Sequence, residues 1–182
     1  MSTEVLLDLD FPEGARVLVA SLPTHLAPGT RQQASRQAVE ALLLHALGEA
    51  DARVSHREDG APYLATRPEI HISISHSSHY AAVALGPKAM GVDIEEPREQ
   101  LRRVAPRVLS AKELEECPQL DDLLRAWTIK EALYKLHPSP AACDFRGNMS
   151  IAPPAVTGHR ARIIKEIDFP TPPAHLCLLT DE

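Results

Sequence analysis

Apolar and polar residues alternate along Ile70–Ser75, with Ile70, Ile72 and Ile74 set against His71, Ser73 and Ser75. A period of two with β-branched residues predicts a strand with one buried face. Tyr80 to Leu85 is a continuous apolar run closed by Gly86-Pro87 and predicts a second strand; Gly91 to Glu95 predicts a third, shorter one. Between Gly29 and Gly48 there is no proline, and Ala34, Ala38, Ala41, Leu42 and Leu44 recur at helical spacing. This predicts a helix that stops at Gly48 and covers a sheet. Val5 to Leu9 and Arg16 to Ala20, separated by Pro12 and Gly14, read as two strands or as a strand and a turn. A turn is expected in Arg57–Tyr63 around Asp59-Gly60-Ala61-Pro62.

Beyond Glu95 the pattern turns helical. Pro97 to Leu109 and Lys112 to Cys117 predict helices, with Ser110 as N-cap of the second. Asp121-Asp122 opens a helix that runs to Leu136, its acids at the positive end of the helix dipole, and His137-Pro138-Ser139-Pro140 ends it. Ala161 to Ile167 and His175 to Leu179 predict two further strands among proline-rich loops that include Pro153-Pro154, Pro170 and Pro172-Pro173. The order is mixed, without the regular alternation of a doubly wound sheet, and neither an internal repeat nor a flexible linker is visible. Any two halves are therefore expected to pack as one unit.

Composition narrows the class. The 182 residues fit one domain or two small halves, and 44% hydrophobic content is enough for a core. Nineteen basic against 25 acidic residues give −6, which argues against general nucleic-acid binding. Aromatic residues are only 4%, too few for base-stacking platforms. Cys117, Cys143 and Cys177 are odd in number and widely spaced, and they form no paired metal motif. The first ten residues carry Glu4, Asp8 and Asp10 and no basic run, so no signal peptide is expected, and no apolar run approaches the roughly 18 residues of a membrane span. The expectation is a cytoplasmic protein without a membrane partner.

Three segments carry candidate chemistry. In Gly91-Val92-Asp93-Ile94-Glu95 a strand puts Asp93 and Glu95 on one face, about 6–7 Å apart, a spacing of hard oxygen donors that suits Mg²⁺. Taken alone, the same alternation also describes a strand with a wet polar face. In Trp127-Thr128-Ile129-Lys130-Glu131-Ala132-Leu133-Tyr134-Lys135, the residues Trp127, Glu131 and Lys135 follow an i, i+4, i+8 stripe. Glu131 and Lys135 alone read equally as a surface ion pair; a third acid able to face Asp93 and Glu95 calls for a cation, because three carboxylates together repel. Ser73-Ile74-Ser75-His76-Ser77 offers small donors to an anion at a strand end. Zinc at His71, His76 and His79 is not expected, since the strand period puts His71 and His76 on opposite faces and no thiol joins them.

The order Ser75-His76, then Gly91 to Glu95, then Trp127 to Lys135 resembles the 4′-phosphopantetheinyl transferase superfamily, in its Sfp-like type. Its signatures are a Gly-(Val/Ile)-Asp-Ile-Glu strand and a Trp-x-x-Lys-Glu-(Ala/Ser)-x-x-Lys helix. Ser35-Arg36 looks like a family arginine position, Gly60-Ala61-Pro62 like its Gly-Lys-Pro turn, and Leu109-Ser110-Ala111-Lys112-Glu113 like its helix-start segment. The resemblance covers Arg31 to Lys135 well and the C-terminal strands only loosely.

The resemblance implies an α+β fold: a pseudo-twofold pair of similar halves, 1–88 and 89–182, with the active site in the cleft between them. It implies a holo-[acyl-carrier-protein] synthase, acting as a monomer. Such an enzyme moves the 4′-phosphopantetheine group of coenzyme A onto a serine of an acyl, polyketide or peptidyl carrier protein and releases adenosine 3′,5′-bisphosphate. Asp93, Glu95 and Glu131 match the acids that hold Mg²⁺ (Mn²⁺ being the alternative) on the pyrophosphate. Lys130 and Lys135 match lysines near it, and Asp93 also counts among the coenzyme A contacts. Arg36 and His76, with Ser75 beside it, match contacts to the phosphates of the nucleotide end. Gly60, Ala61 and Pro62 match the turn that meets adenine through backbone. Glu131 is the candidate base for the serine proton, and Lys135 the group that steadies the departing phosphate.

Two departures stand out. Ala61 replaces the family lysine, so a cationic contact is missing; Arg31 or Arg53 is a candidate replacement, and Arg31 lies about 140° round the helix from Arg36. The chain continues from Lys135 into His137-Pro138-Ser139-Pro140 where the family often has a glycine-rich stretch. Arg98, Arg102, Arg103 and Arg107 recur along one predicted helix, either as a solvated face or as a basic edge that steers an acidic carrier. The rival functions are a non-catalytic coenzyme A or carrier-binding module and a metal-dependent phosphodiesterase.

Overall fold

A computed structural model describes residues 3–24, 29–48, 53–137, 150–152, 155–157 and 161–181, the segments 150–152 and 155–157 by their backbone alone. The Cys143 thiol, Pro138-Ser139-Pro140 and Pro153-Pro154 lie outside the described residues. The chain divides into two compact units, Met1–Met90 and Gly91–Glu182.

The first unit is an antiparallel sheet under one helix. Its strands β1 (Val5–Asp10), β2 (Arg16–Ser21), β5 (His71–His76) and β6 (Tyr80–Gly86) lie in the order β1-β2-β6-β5. The β1–β2 connection closes through Gly14 at φ 80°, a left-handed conformation that glycine adopts without Cβ strain. The helix α1 (Arg31–Leu47) buries Ala38, Val39, Leu42 and Leu43 in a core with Leu18, Leu64, Ile72 and Val83. It ends where Gly48, at φ 66°, donates its N–H to the Leu44 carbonyl. The expected turn around Gly60 joins the short strands β3 (Val54–His56) and β4 (Pro62–Leu64), held by Asp59 Oδ1 accepting from the Ala61 N–H at 2.9 Å. One expectation fails here. In β5 the serine face is not wet: Ser73 and Ser75 are 3% and 5% exposed, while Ile74 is only half-buried. Small hydroxyls fit a covered face that a larger polar side chain would not.

The second unit pairs a sheet of order β7-β11-β10-β9-β8 with a helical segment. The strands are β7 (Met90–Glu95), β8 (Ser150–Ala152), β9 (Ala155–Thr157), β10 (Ala161–Pro170) and β11 (Pro173–Asp181). The helix expected over Pro97–Leu109 is shorter: α2 (Gln100–Val104) passes into a 3₁₀ turn at Ala105–Arg107, because Pro106 removes an N–H from the α ladder. Ser110 caps α3 (Ala111–Glu116) in a reciprocal capping box with Glu113. The long helix α4 (Leu120–Leu136) packs on β11, burying Ile129, Ala132 and Leu133. Within each unit a strand is followed by a long helix and then a hairpin whose second strand returns beside the first: β2-α1-β5-β6 in the order β2-β6-β5, and β7-α4-β10-β11 in the order β7-β11-β10. Among the described residues no helix is long and apolar enough to cross a membrane.

Candidate functional site

The site of the second unit starts from a crossing of backbones. A Cβ built on Gly91 would overlap the Ala132 carbonyl oxygen and stand 2.9 Å from the Leu136 nitrogen. Only a glycine lets β7 run this close to α4. Val92 and Ile94 are fully buried, Asp93 is 4% exposed and Glu95 is half-buried, so burial does not alternate along this strand and the face expected to be polar is mostly enclosed. On α4 the stripe of Trp127, Glu131 and Lys135 is half-buried along its length. The Trp127 Nε1 is buried and meets no hydrogen-bond acceptor among the described residues.

The strand and helix motifs meet at Asp93. Lys135 Nζ donates to Asp93 Oδ1 at 2.7 Å and to the Val92 carbonyl at 3.1 Å. Burial raises the Glu131 carboxyl above its ordinary value, the Asp93 charge raises it further, and Lys135 and Arg98 oppose the shift. Glu95 is pushed up to about 7 by burial and then by Asp93, with Arg98, 3.3 Å away, pulling the other way. Each glutamate thus senses the negative charge of Asp93.

The expected three-acid metal cluster is not gathered, however. Among the described residues no three His, Cys, Asp or Glu side chains are grouped to hold an ion. Asp93 is instead paired with the Lys135 ammonium at 2.7 Å. The donors still fit a hard divalent cation by their chemistry, three carboxylates whose mutual repulsion an ion would relieve.

Lys130 is a correction. Expected near the pyrophosphate, it is 0% exposed, and its Nζ donates to Glu113 Oε2 at 2.7 Å and to the Val108 carbonyl at 3.0 Å. Burial lowers the Lys130 ammonium, with Glu113 opposing. Burial would raise Glu113, but hydrogen bonds from Lys130 and from the Ser110 N–H outweigh it and hold the carboxyl low. Lys130 ties α4 to the α3 cap. Its partner Glu113 went unassigned at the sequence level, although the Ser-x-x-Glu capping signature at Ser110 marks it.

A second network also escaped sequence reasoning. His175 on β11, 5% exposed, is 2.7 Å from Asp168 Oδ1 and 3.2 Å from Glu166 Oε1. Arg125 of α4 reaches the same Glu166 with two nitrogens, at 2.7 Å each.

In the first unit, Arg36 of α1 and His76 of β5 line one cavity of about 570 Å³. Gly60, Ala61 and Pro62 sit at the β3–β4 turn, outside the residues lining that cavity, and Ser75 is buried on β5. Arg31 donates instead to Ser78 Oγ at 3.0 Å.

Comparison with known proteins bears on the second unit most. Residues 89–171 match the family model of the 4′-phosphopantetheinyl transferase superfamily. The chain is 33% identical over 95 residues to the 4′-phosphopantetheinyl transferase ffp of Bacillus subtilis and 30% identical over 95 residues to the 4′-phosphopantetheinyl transferase Sfp of Bacillus subtilis strain 168. Each match covers 49% of this chain and 42% of the relative. A further 4′-phosphopantetheinyl transferase of Bacillus subtilis is 31% identical over 85 residues, 43% of this chain and 38% of the relative. The matched stretch thus spans less than half the length of these curated relatives, and the resemblance to the superfamily drawn from the motifs stands.

Proposed function

We propose, from the premise that residues 89–171 are those of the 4′-phosphopantetheinyl transferase superfamily, that the protein transfers phosphopantetheine from coenzyme A to a carrier-protein serine. The observation that carries the reading is the meeting of both signature motifs at one carboxylate: Asp93 of β7 accepts from Lys135 of α4, and its charge raises Glu131.

The step is a phosphoryl transfer. The carrier serine oxygen forms a bond to the pantetheine-side phosphorus of the pyrophosphate, the bridging P–O bond breaks, and adenosine 3′,5′-bisphosphate leaves. Catalysis of this kind rests on placement and neutralisation. Asp93, Glu95 and Glu131 would hold Mg²⁺ or Mn²⁺, which when bound supplies positive charge to the pyrophosphate. Lys135 adds a fixed positive charge for the departing phosphate. Glu131, beside Asp93 and Lys135, takes the serine proton. Arg36 and His76 meet the phosphates of the nucleotide end, and the Gly60-Ala61-Pro62 turn meets adenine. Lys130 has no direct role. The partners are acyl, polyketide or peptidyl carrier proteins, and a cytoplasmic setting and a monomeric enzyme go with this reading.

The test incubates the protein with coenzyme A, Mg²⁺ and a panel of apo carrier proteins, read by intact mass. The expected result is a carrier heavier by one phosphopantetheinyl group, lost on chelation and in Asp93→Ala and Glu131→Ala. Full rate in either variant overturns the assignment of the acids. Release of adenosine bisphosphate without any carrier would make the protein a phosphodiesterase instead, and binding without turnover would make it a non-catalytic module.

A further inference from the structure

Each of the three cations of α4 is held by a carboxylate from a different element. Arg125 meets Glu166 of β10, Lys130 meets Glu113 of α3, and Lys135 meets Asp93 of β7. They recur every five residues, so successive ones stand about 140° apart round the helix and about 7.5 Å apart along it. The helix is therefore fastened from three directions. In the sheet order β7-β11-β10 the strand between the two outer fastenings is β11, on which α4 packs. The helix thus crosses β11 with its first half reaching β10 and its last turn reaching β7.

The three fastenings differ in what they can do during a reaction. Lys135 is the one the proposed transfer draws on, so its hold on Asp93 is shared with the departing phosphate in that step. Lys130 ties α4 to another helix, not to the sheet that carries Asp93 and Glu95. Arg125 ties it to the sheet at a distance from the chemistry. Its Nε and a terminal nitrogen each reach an oxygen of Glu166 at 2.7 Å, a planar fork on a planar carboxylate. Glu166 is fixed in turn by His175, 3.2 Å from its Oε1 and 5% exposed, whose other ring nitrogen is 2.7 Å from Asp168 Oδ1. A lone surface ion pair holds a helix weakly. Here the carboxylate is backed by a buried ring, and two parallel contacts fix an orientation that one contact would not.

We propose that Arg125, seated on Glu166 and His175, is a positioning residue for the transfer: it holds α4 along and around its axis and so sets where Glu131 and Lys135 stand relative to Asp93. The proposal rests on the transferase reading and adds residues that lie outside both signature motifs. It gives Arg125 and Glu166 no contact with coenzyme A or the carrier, so their loss slows the step without weakening either complex.

The experiment measures steady-state transfer with coenzyme A, Mg²⁺ and the carrier that wild type modifies, in wild type, Arg125→Met, Arg125→Lys and Glu166→Gln. It also records the emission of Trp127, the only tryptophan in the chain and two residues from Arg125 on α4. Arg125→Met should lower kcat about tenfold, as misplacement of a catalytic group does. KM for coenzyme A and for the carrier should stay within about twofold of wild type, and the Trp127 emission should shift. Arg125→Lys keeps the charge and one contact and should return kcat to within about threefold of wild type. Glu166→Gln keeps the shape of the carboxylate and should lower kcat with both KM values held, which leaves the test open if Arg125→Met does not fold. Unchanged kcat, a loss carried by KM, no recovery in Arg125→Lys, or a slower step with the Trp127 emission unmoved overturns the proposal and leaves the transferase reading in place. Wild type that modifies no carrier overturns both.

Discussion

Gly91 and Ala132 touch through backbone: the carbonyl oxygen of Ala132 in α4 occupies the space a side chain on Gly91 of β7 would need. This contact draws the two signature segments together. Three residues after Ala132 comes Lys135, and two after Gly91 comes Asp93, so the crossing leads directly to the 2.7 Å ion pair. The small residues of both motifs therefore have a packing reason, independent of any chemistry they assist.

Gly91→Ala is accordingly expected to destabilise the second unit by about 3 kcal/mol, the upper part of the overpacking range, since the obstacle is helix backbone and has no rotamer to yield. Urea unfolding followed by circular dichroism measures it. A variant as stable as wild type would mean the strand and helix are not held at this separation.

Lys130 is held in a buried ion pair with Glu113, apart from the Lys135 that the proposed mechanism uses. Lys130→Met leaves Glu113 as an uncompensated buried charge and should cost about 3–5 kcal/mol. Adding Glu113→Gln removes that charge, keeps an acceptor for the Ser110 N–H, and should recover most of the loss. Equilibrium unfolding of the single and double variants reads the pair directly. Unchanged stability with lost coenzyme A affinity in Lys130→Met would return this lysine to the ligand site.

Much of the site was legible because it obeys local periods. A strand's alternation puts Asp93 beside Glu95, and a helix's i, i+4 spacing puts Glu131 beside Lys135. Lys130 was misread for the same reason it is easily found: it adjoins Glu131 in the motif, yet one residue is about 100° on a helix, and that turn carries it into α3. The burial of Ser73 and Ser75 depends on what covers β5, which no period encodes. The break at Pro106 carried its own signal in the sequence, whereas the joining of Arg125, Glu166 and His175 depends on the pairing of β10 with β11 and the packing of α4.

That last network has a pH signature. Burial lowers His175, but hydrogen bonds to Glu166 and Asp168 outweigh it and raise the imidazole above its ordinary 6.5. Its contribution to stability is therefore complete below pH 6.5 and fades as pH climbs through the raised folded value. Glu166 moves the other way. Burial would raise it, but His175 and Arg125 bring it from 4.5 to about 2, so its contribution is complete above 4.5 and fades as pH falls towards 2. Thermal unfolding of wild type minus His175→Gln should give a difference that is largest between about pH 4.5 and 6.5 and shrinks on both sides. A difference independent of pH would show that the imidazole is not held charged.

The basic segment after β7 is less uniformly available than its spacing suggests. Arg98 is drawn to Glu95 at 3.3 Å, and Arg102 to Glu99 at 3.2 Å and to the Pro118 carbonyl. Arg103 and Arg107 are exposed and make no ion pair among the described residues. Exposed charge of this kind steers encounter and falls with ionic strength, since it acts across solvent. If the proposed carrier partner is acidic at its docking face, Arg103→Glu with Arg107→Glu should raise the carrier KM about tenfold or more at low salt, through two reversed charges. The gap should narrow towards wild type at high salt, and coenzyme A affinity should stay level, since the proposed coenzyme A contacts include neither side chain. Steady-state transfer measured against carrier concentration at two ionic strengths decides it; a carrier KM that ignores both the reversal and the salt would leave these arginines as a solvated face.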